Sequence, residues 1–113
     1  EIGHKVKIGK NCRIGCGSFI PENIIIEDNV FIGPHTVFTN DKNPPSNGAW
    51  RKEPPTVVRE GAAIGANSTL LPNIILGNDC KIGAGSVVTK NVPNNEIWLG
   101  VPAQRMHNEK YVK

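Results

Sequence analysis

The sequence predicts an all-β chain wound as a parallel β-helix of six-residue (hexapeptide) repeats. Three observations carry this. First, an apolar residue recurs at every sixth position from Ile2 through Ile8, Ile14, Ile20, Ile26 and Ile32 to Phe38. It resumes at Val58 and runs through Ile64, Leu70, Leu76 and Ile82 to Val88. Second, a small or β-branched series trails it by four positions: Val6, Cys12, Ser18, Ile24, Val30 and Thr36, then Ala62, Ser68, Ile74, Cys80, Ser86 and Val92. Third, glycine often follows the apolar residue directly, as at Gly9, Gly15, Gly33, Gly65, Gly77 and Gly83. A helix repeats near 3.6 and a plain strand at 2. A period of six with Gly in phase fits a short strand plus a turn. Three hexads, about 18 residues, close one triangular coil.

The elements follow in order. The first block of coils runs to Phe38. An extruded loop is expected over about residues 40–56, because its prolines and glycine cannot continue a coil. It holds Trp50, Arg51 and Lys52. The second block returns in phase at Val58, so residues 1–92 read as one repeat domain. Residues 93–113 read as a cap: a strand at Ile97 to Leu99, a Gly-Val-Pro turn, then a short helix from Ala103. The repeat begins in mid-pattern at Glu1, which leads to the expectation that the natural protein extends further toward the N-terminus.

Composition excludes several classes. Aromatics are only 5%, so a core of packed rings is not expected. A net charge of +3 suits a phosphorylated small ligand but is too weak and scattered for nucleic acid. Cys12, Cys16 and Cys80 have no metal-ligand spacing and an odd count, which fits a reducing, cytoplasmic setting without disulfides. No apolar stretch is long enough to span a bilayer.

The phase also places side chains. Residues two after an inward position sit at the prism corners and point outward, stacked coil upon coil. One corner column holds Cys16, Pro34, Ala66 and Ala84, whose small side chains suit a long thin ligand. The next holds His4, Glu22, Asn40, Pro72 and Lys90. Glu22 and Asn40 are one coil apart, with Asp41 beside Asn40, so two carboxylates and an amide converge where the loop begins.

The runs IGPHTVFTND, IGANSTLLPNIILG and IGAGSVVTKNVP and the closing GVPAQRM resemble the hexapeptide-repeat acyltransferases of the left-handed β-helix type. Within them the sequence is most similar to the nucleotide-sugar N-acetyltransferases, which act on UDP- or dTDP-linked 3-amino sugars. The resemblance covers nearly the whole chain. It implies a homotrimer with sites between subunits, acetyl-CoA as cosubstrate and a nucleotide-linked amino sugar as acceptor. It places Glu22, Asn40 and Asp41 beside the sugar amine, and the backbone amides of Ala66 and Ala84 along the pantetheine arm. Lys90, Pro102, Gln104 and Arg105 fall at the CoA end of the groove, with the polar three meeting the phosphates. His35 is a further candidate for base or substrate contact.

Three rivals stand beside this reading. O-acetyl transfer to a sugar or serine uses a histidine a few residues into the loop, where this chain has Lys42 and Asn43. The loop also lacks the Arg that relatives often carry after its first proline. A γ-type carbonic anhydrase needs three histidines on zinc, but His4, His35 and His107 fall in unrelated columns. A non-catalytic β-helix scaffold would have no use for the Asn-Asp loop start.

Overall fold

The computed structural model describes residues 1–3, 5–45, 47–48 and 52–107. His4, Trp50 and Arg51 lie outside the described residues, as does the tail beyond His107. The chain forms a left-handed parallel β-helix of very short strands. In chain order these are β1 (Lys7–Ile8), β2 (Arg13–Ile14), β3 (Ile24–Ile26), β4 (Phe31–Ile32), β5 (Val37–Phe38), β6 (Thr56–Val58), β7 (Ala63–Ile64), β8 (Thr69–Leu70), β9 (Ile75–Leu76), β10 (Lys81–Ile82), β11 (Val87–Val88), β12 (Ile97–Gly100) and β13 (Ala103–Arg105). They make three faces. The first is β1-β3-β6-β9, the second β2-β4-β7-β10-β12-β13, and the third β5-β8-β11. Bridges from Ile2 to Ile20 and from Phe19 to Val37 carry the third face toward the N-terminal end.

Register follows the hexad. Lys7 pairs Ile25 and Arg13 pairs Phe31, a spacing of 18. Across the loop Ile25 pairs Val57 and Val37 pairs Thr69, a spacing of 32, so 14 residues leave the coil and it closes again in phase. From Ile20 onward the inward residues are sealed, with Ile20, Ile32, Phe38, Val58, Ile64, Leu70, Leu76 and Val88 all at 0% exposure, whereas Ile2 and Ile8 at the open N-terminal end are exposed. Turns between faces are left-handed, at Asn11, Asn29, His35, Asn67 and Asp79 among others, each with φ near 58°. Asn and Asp tolerate that region at lower cost than most residues.

The trailing small series divides by corner, for a chemical reason. Between the second and third faces it is Ser18, Thr36, Ser68 and Ser86, all buried hydroxyls. Thr36 Oγ1 donates to the Gly33 carbonyl at 2.8 Å, Ser68 Oγ to that of Gly65 at 2.8 Å, and Ser86 Oγ to that of Gly83 at 2.6 Å. A buried carbonyl left unpaired there would be costly. Between the first and second faces the same phase holds Val30, Ala62 and Cys80, which pack against the core. Ser68→Ala is therefore expected to cost about 1–3 kcal/mol, measured by denaturant unfolding, whereas Ala62→Ser adds a hydroxyl with no glycine carbonyl placed for it.

Cys80 is fully buried, and burial pushes its thiol up to about 11 from the ordinary 9.0. The unfolded thiol ionises first as pH rises. Cys80's contribution to stability is thus complete below about pH 9 and is lost as pH climbs toward 11. Thermal unfolding across that range should show a steeper alkaline decline for the parent chain than for Cys80→Ala.

Two expectations about the C-terminal end are corrected. Val92 does not continue the trailing series. It bridges Leu76 at a spacing of 16, shortening the last coil by two residues, and the Asn91 side-chain oxygen accepts from the Ile75 amide at 2.8 Å. The cap is also not helical from Ala103. β12 continues the second face, parallel to β10, and β13 folds back antiparallel on β12. Ala, Gln, Arg and Met are good helix formers. The open edge of β12 outweighs that preference by pairing the segment's backbone groups, with Met106 N donating to Ile97 O at 2.7 Å. Glu96 fastens the cap, accepting from Trp98 Nε1 at 2.9 Å and pairing with Arg105 at 3.7 Å.

Candidate functional site

Two corners of the prism matter. Between the second and third faces stand Cys16, Pro34, Ala66 and Ala84. Glycines let these corners stack closely. A Cβ on Gly33 would lie 2.6 Å from the Ala66 nitrogen, and one on Gly65 would lie 2.5 Å from that of Ala84. Bonds along this corner are donated by His35, Asn67 and Gly85 to the carbonyls of Cys16, Pro34 and Ala66 at 2.8–3.0 Å. Among the described residues no such bond is donated by Ala66 or Ala84 themselves. The result is a smooth edge, lined by small side chains, with backbone amides still to be paired. That fits a linear ligand rich in amide acceptors.

Between the third and first faces stand Glu22, Asn40, Pro72 and Lys90. The 18-residue register holds up to the loop, with Phe38 N donating to Phe19 O at 3.0 Å, so Asn40 follows directly above Glu22. Glu22, Asn40 and Asp41 are all half-buried. Strand β5 brings the chain to this point. Its last residue, Phe38, is locked inside, and Thr39 bonds to Leu70 O through both its amide, at 3.0 Å, and its hydroxyl, at 2.9 Å. Asn40 and Asp41 thus emerge from a rigid strand end rather than from loose loop.

The structure brings Glu22, Asn40 and Asp41 to one corner but not His35. His35 lies at the opposite end of β5, exposed, at φ 58°, with its ring over Gly17. A Cβ on Gly17 would meet its Nδ1 at 2.5 Å, so glycine makes the room for that ring. The expected phosphate set is likewise divided. Lys90 follows Val88 by two positions, which puts it in the Glu22 column and exposed. Pro102, Gln104 and Arg105 sit at the free edge of the second face, where Arg105 pairs with Glu96. Pro34 and Asn40 are six positions apart, on either side of β5. The two corners therefore flank the third face of a single chain, one at each end of its strands.

Sequence reasoning missed the residues that set the loop base. Asn23 and Asn73 each follow a corner residue, with φ of 73° and 66°. Their side chains bond to the returning limb of the loop at Glu53 and Pro54. Their asparagine identity one position past a corner was the available signal, and turn formation alone accounts for that signal equally well.

The family model described as bacterial transferase hexapeptide (six repeats) matches residues 5–40 and 55–90. A serine acetyltransferase of Buchnera aphidicola subsp. Acyrthosiphon pisum is 38% identical over 84% of this chain and 34% of its own length. The galactoside O-acetyltransferase of Lactococcus lactis subsp. lactis is 31% identical over 83% of this chain and 51% of its own. Among solved structures, the serine acetyltransferase of Brucella abortus strain S19 in complex with coenzyme A superposes with a TM-score of 0.78 at 33% identity. That match covers 92% of this chain and 40% of that one. The chain spans about a third or less of the length of the curated relatives it matches first.

Proposed function

The chain belongs to the bacterial transferase hexapeptide family, and from that premise we propose that it is an acetyl-CoA-dependent N-acetyltransferase acting on the amine of a nucleotide-linked amino sugar. The observation that carries this reading is the corner shared by Glu22, Asn40 and Asp41 at the mouth of the loop. Acetyl-CoA supplies the activated acyl group. Its pantetheine arm fits the smooth edge at Ala66 and Ala84. In this reading the Ala66 amide donates to the carbonyl oxygen as it gains negative charge. Asn40 orients the incoming amine, and Glu22 and Asp41 take up its proton or hold the sugar in line. Lys90, Gln104 and Arg105 supply cationic and polar groups for phosphates, and His35 stands beside the donor edge.

Because donor edge and acceptor corner lie at opposite ends of the third face, the site is completed by a second copy of the chain. A homotrimer, with the edge of one subunit facing the corner of the next, satisfies this. Exposed Phe19 and Val37 on the third face and Phe31 on the second supply apolar surface for such contacts.

O-acetylation is the second reading, favoured by the likeness to serine and galactoside O-acetyltransferases. A hydroxyl acceptor needs a stronger base than an amine does. Among the described residues the acceptor corner carries no histidine. The test is release of free CoA thiol with a nucleotide-linked amino sugar against its hydroxy analogue. The amine is expected to be preferred by about 10²-fold or more in kcat/KM, the scale of one positioned proton-transfer group. Equal or better turnover of the hydroxyl would overturn the reading.

A further inference from the structure

At the other corners, coils are tied by backbone bonds from one corner to the next, as from Asn29 to Lys10, Gly61 to Asp28 and Asp79 to Glu60 at 2.8–3.1 Å. At the acceptor corner this ladder is interrupted, because the chain leaves at Asn40 and the corner residue of that coil is spent on the loop. The returning limb fills the gap. Thr56, 1% exposed, donates its amide to Asn23 O at 3.0 Å below, and its hydroxyl accepts from Asn73 N at 2.9 Å above. Side chains then reach outward from both coils. Asn23 Nδ2 donates to Glu53 O at 3.3 Å and Pro54 O at 3.4 Å, and Asn73 Nδ2 donates to Pro54 O from the other side.

We infer that Asn23 and Asn73 are positioning residues for the acceptor: a two-sided carboxamide clamp that fixes Glu53–Pro54 as the wall opposite Asn40–Asp41 and so sets the width of the acceptor mouth. This rests on the acceptor reading given above. The outgoing limb is already fixed through Thr39 and Leu70. Holding the returning limb independently makes the gap between the limbs a fixed dimension. Had coil closure alone been required, the amide and hydroxyl bonds of Thr56 would have sufficed. The carboxamides act on Glu53 and Pro54, which stand outside the coil.

The test uses Asn23→Gly, Asn73→Gly and the double variant, since glycine tolerates these positive φ values while deleting the carboxamide. The acceptor KM of the double variant is expected to rise about tenfold or more, the acetyl-CoA KM to stay within about twofold, and the melting temperature to change little. Asn73→Asp, which keeps the shape but turns an acceptor toward the Pro54 carbonyl, should not restore the parent KM. Trypsin cleavage after exposed Lys52, next to Glu53, should accelerate in the same variants, and this readout does not depend on activity. Unchanged cleavage overturns the clamp. Faster cleavage with an unchanged acceptor KM overturns its positioning role. If the parent chain uses a hydroxyl acceptor, the amine reading fails alone, and the KM comparison is made with that acceptor.

Discussion

Asn40→Ala is expected to lower kcat/KM for acetylation of the amino sugar by about 10²-fold, with the fold and acetyl-CoA binding retained. Asn40 follows β5 by two residues, one coil on from Glu22, where the chain turns out of the prism. It is half-buried and outside the core, so truncation removes an orienting amide without opening a core cavity. A hundredfold loss corresponds to about 2.7 kcal/mol of transition-state stabilisation. The donor edge at Ala66 and Ala84 lies at the other end of the third face, so the acetyl-CoA KM should be unaffected. Steady-state kinetics on both substrates, with circular dichroism as the fold control, checks this. Full activity in the variant would remove Asn40 from the site.

Phe38→Ala is expected to destabilise the chain by about 3–5 kcal/mol, read from denaturant unfolding at constant protein concentration. Among the described residues Phe38 is the largest fully buried side chain, at 0% exposure. A single-file core has few neighbours able to move into the vacated space. Domains of this size are stable by only about 5–15 kcal/mol, so the loss is a large fraction of the total. Phe38 also anchors Thr39 and hence the loop base, so residual activity at permissive temperature should fall as well. Phe38→Leu, which keeps most of the volume, should cost far less.

The fold was legible because its inward positions repeat without exception over both blocks, and a side chain enclosed on three sides tolerates only apolar residues. The end of the repeat was harder. Val92 has the identity that either phase accepts, and only the bridge to Leu76 reveals a shortened coil. The Ala103–Arg105 segment has helical propensity, but the open edge of β12 decides its state, and an edge exists only in three dimensions. The Glu22–Asn40 stack was legible as one more consequence of the period. The same period makes the Ala66–Ala84 edge and the Glu22–Asn40 corner successive corners, one at each end of a single face. Glu96 and the asparagine clamp, by contrast, were hidden. Glu96 finds Trp98 and Arg105 only because β13 folds back on β12, and the asparagines' partners are backbone carbonyls of a distant segment, which carry no side-chain identity to read.

The most direct test is a crystal structure of the protein with acetyl-CoA bound. The predicted result is a trimer with the pantetheine arm along Ala66 and Ala84 of one subunit and the thioester carbonyl beside Asn40 of the next. Acetyl-CoA bound at a different corner, or a thioester remote from every Asn40, would contradict it.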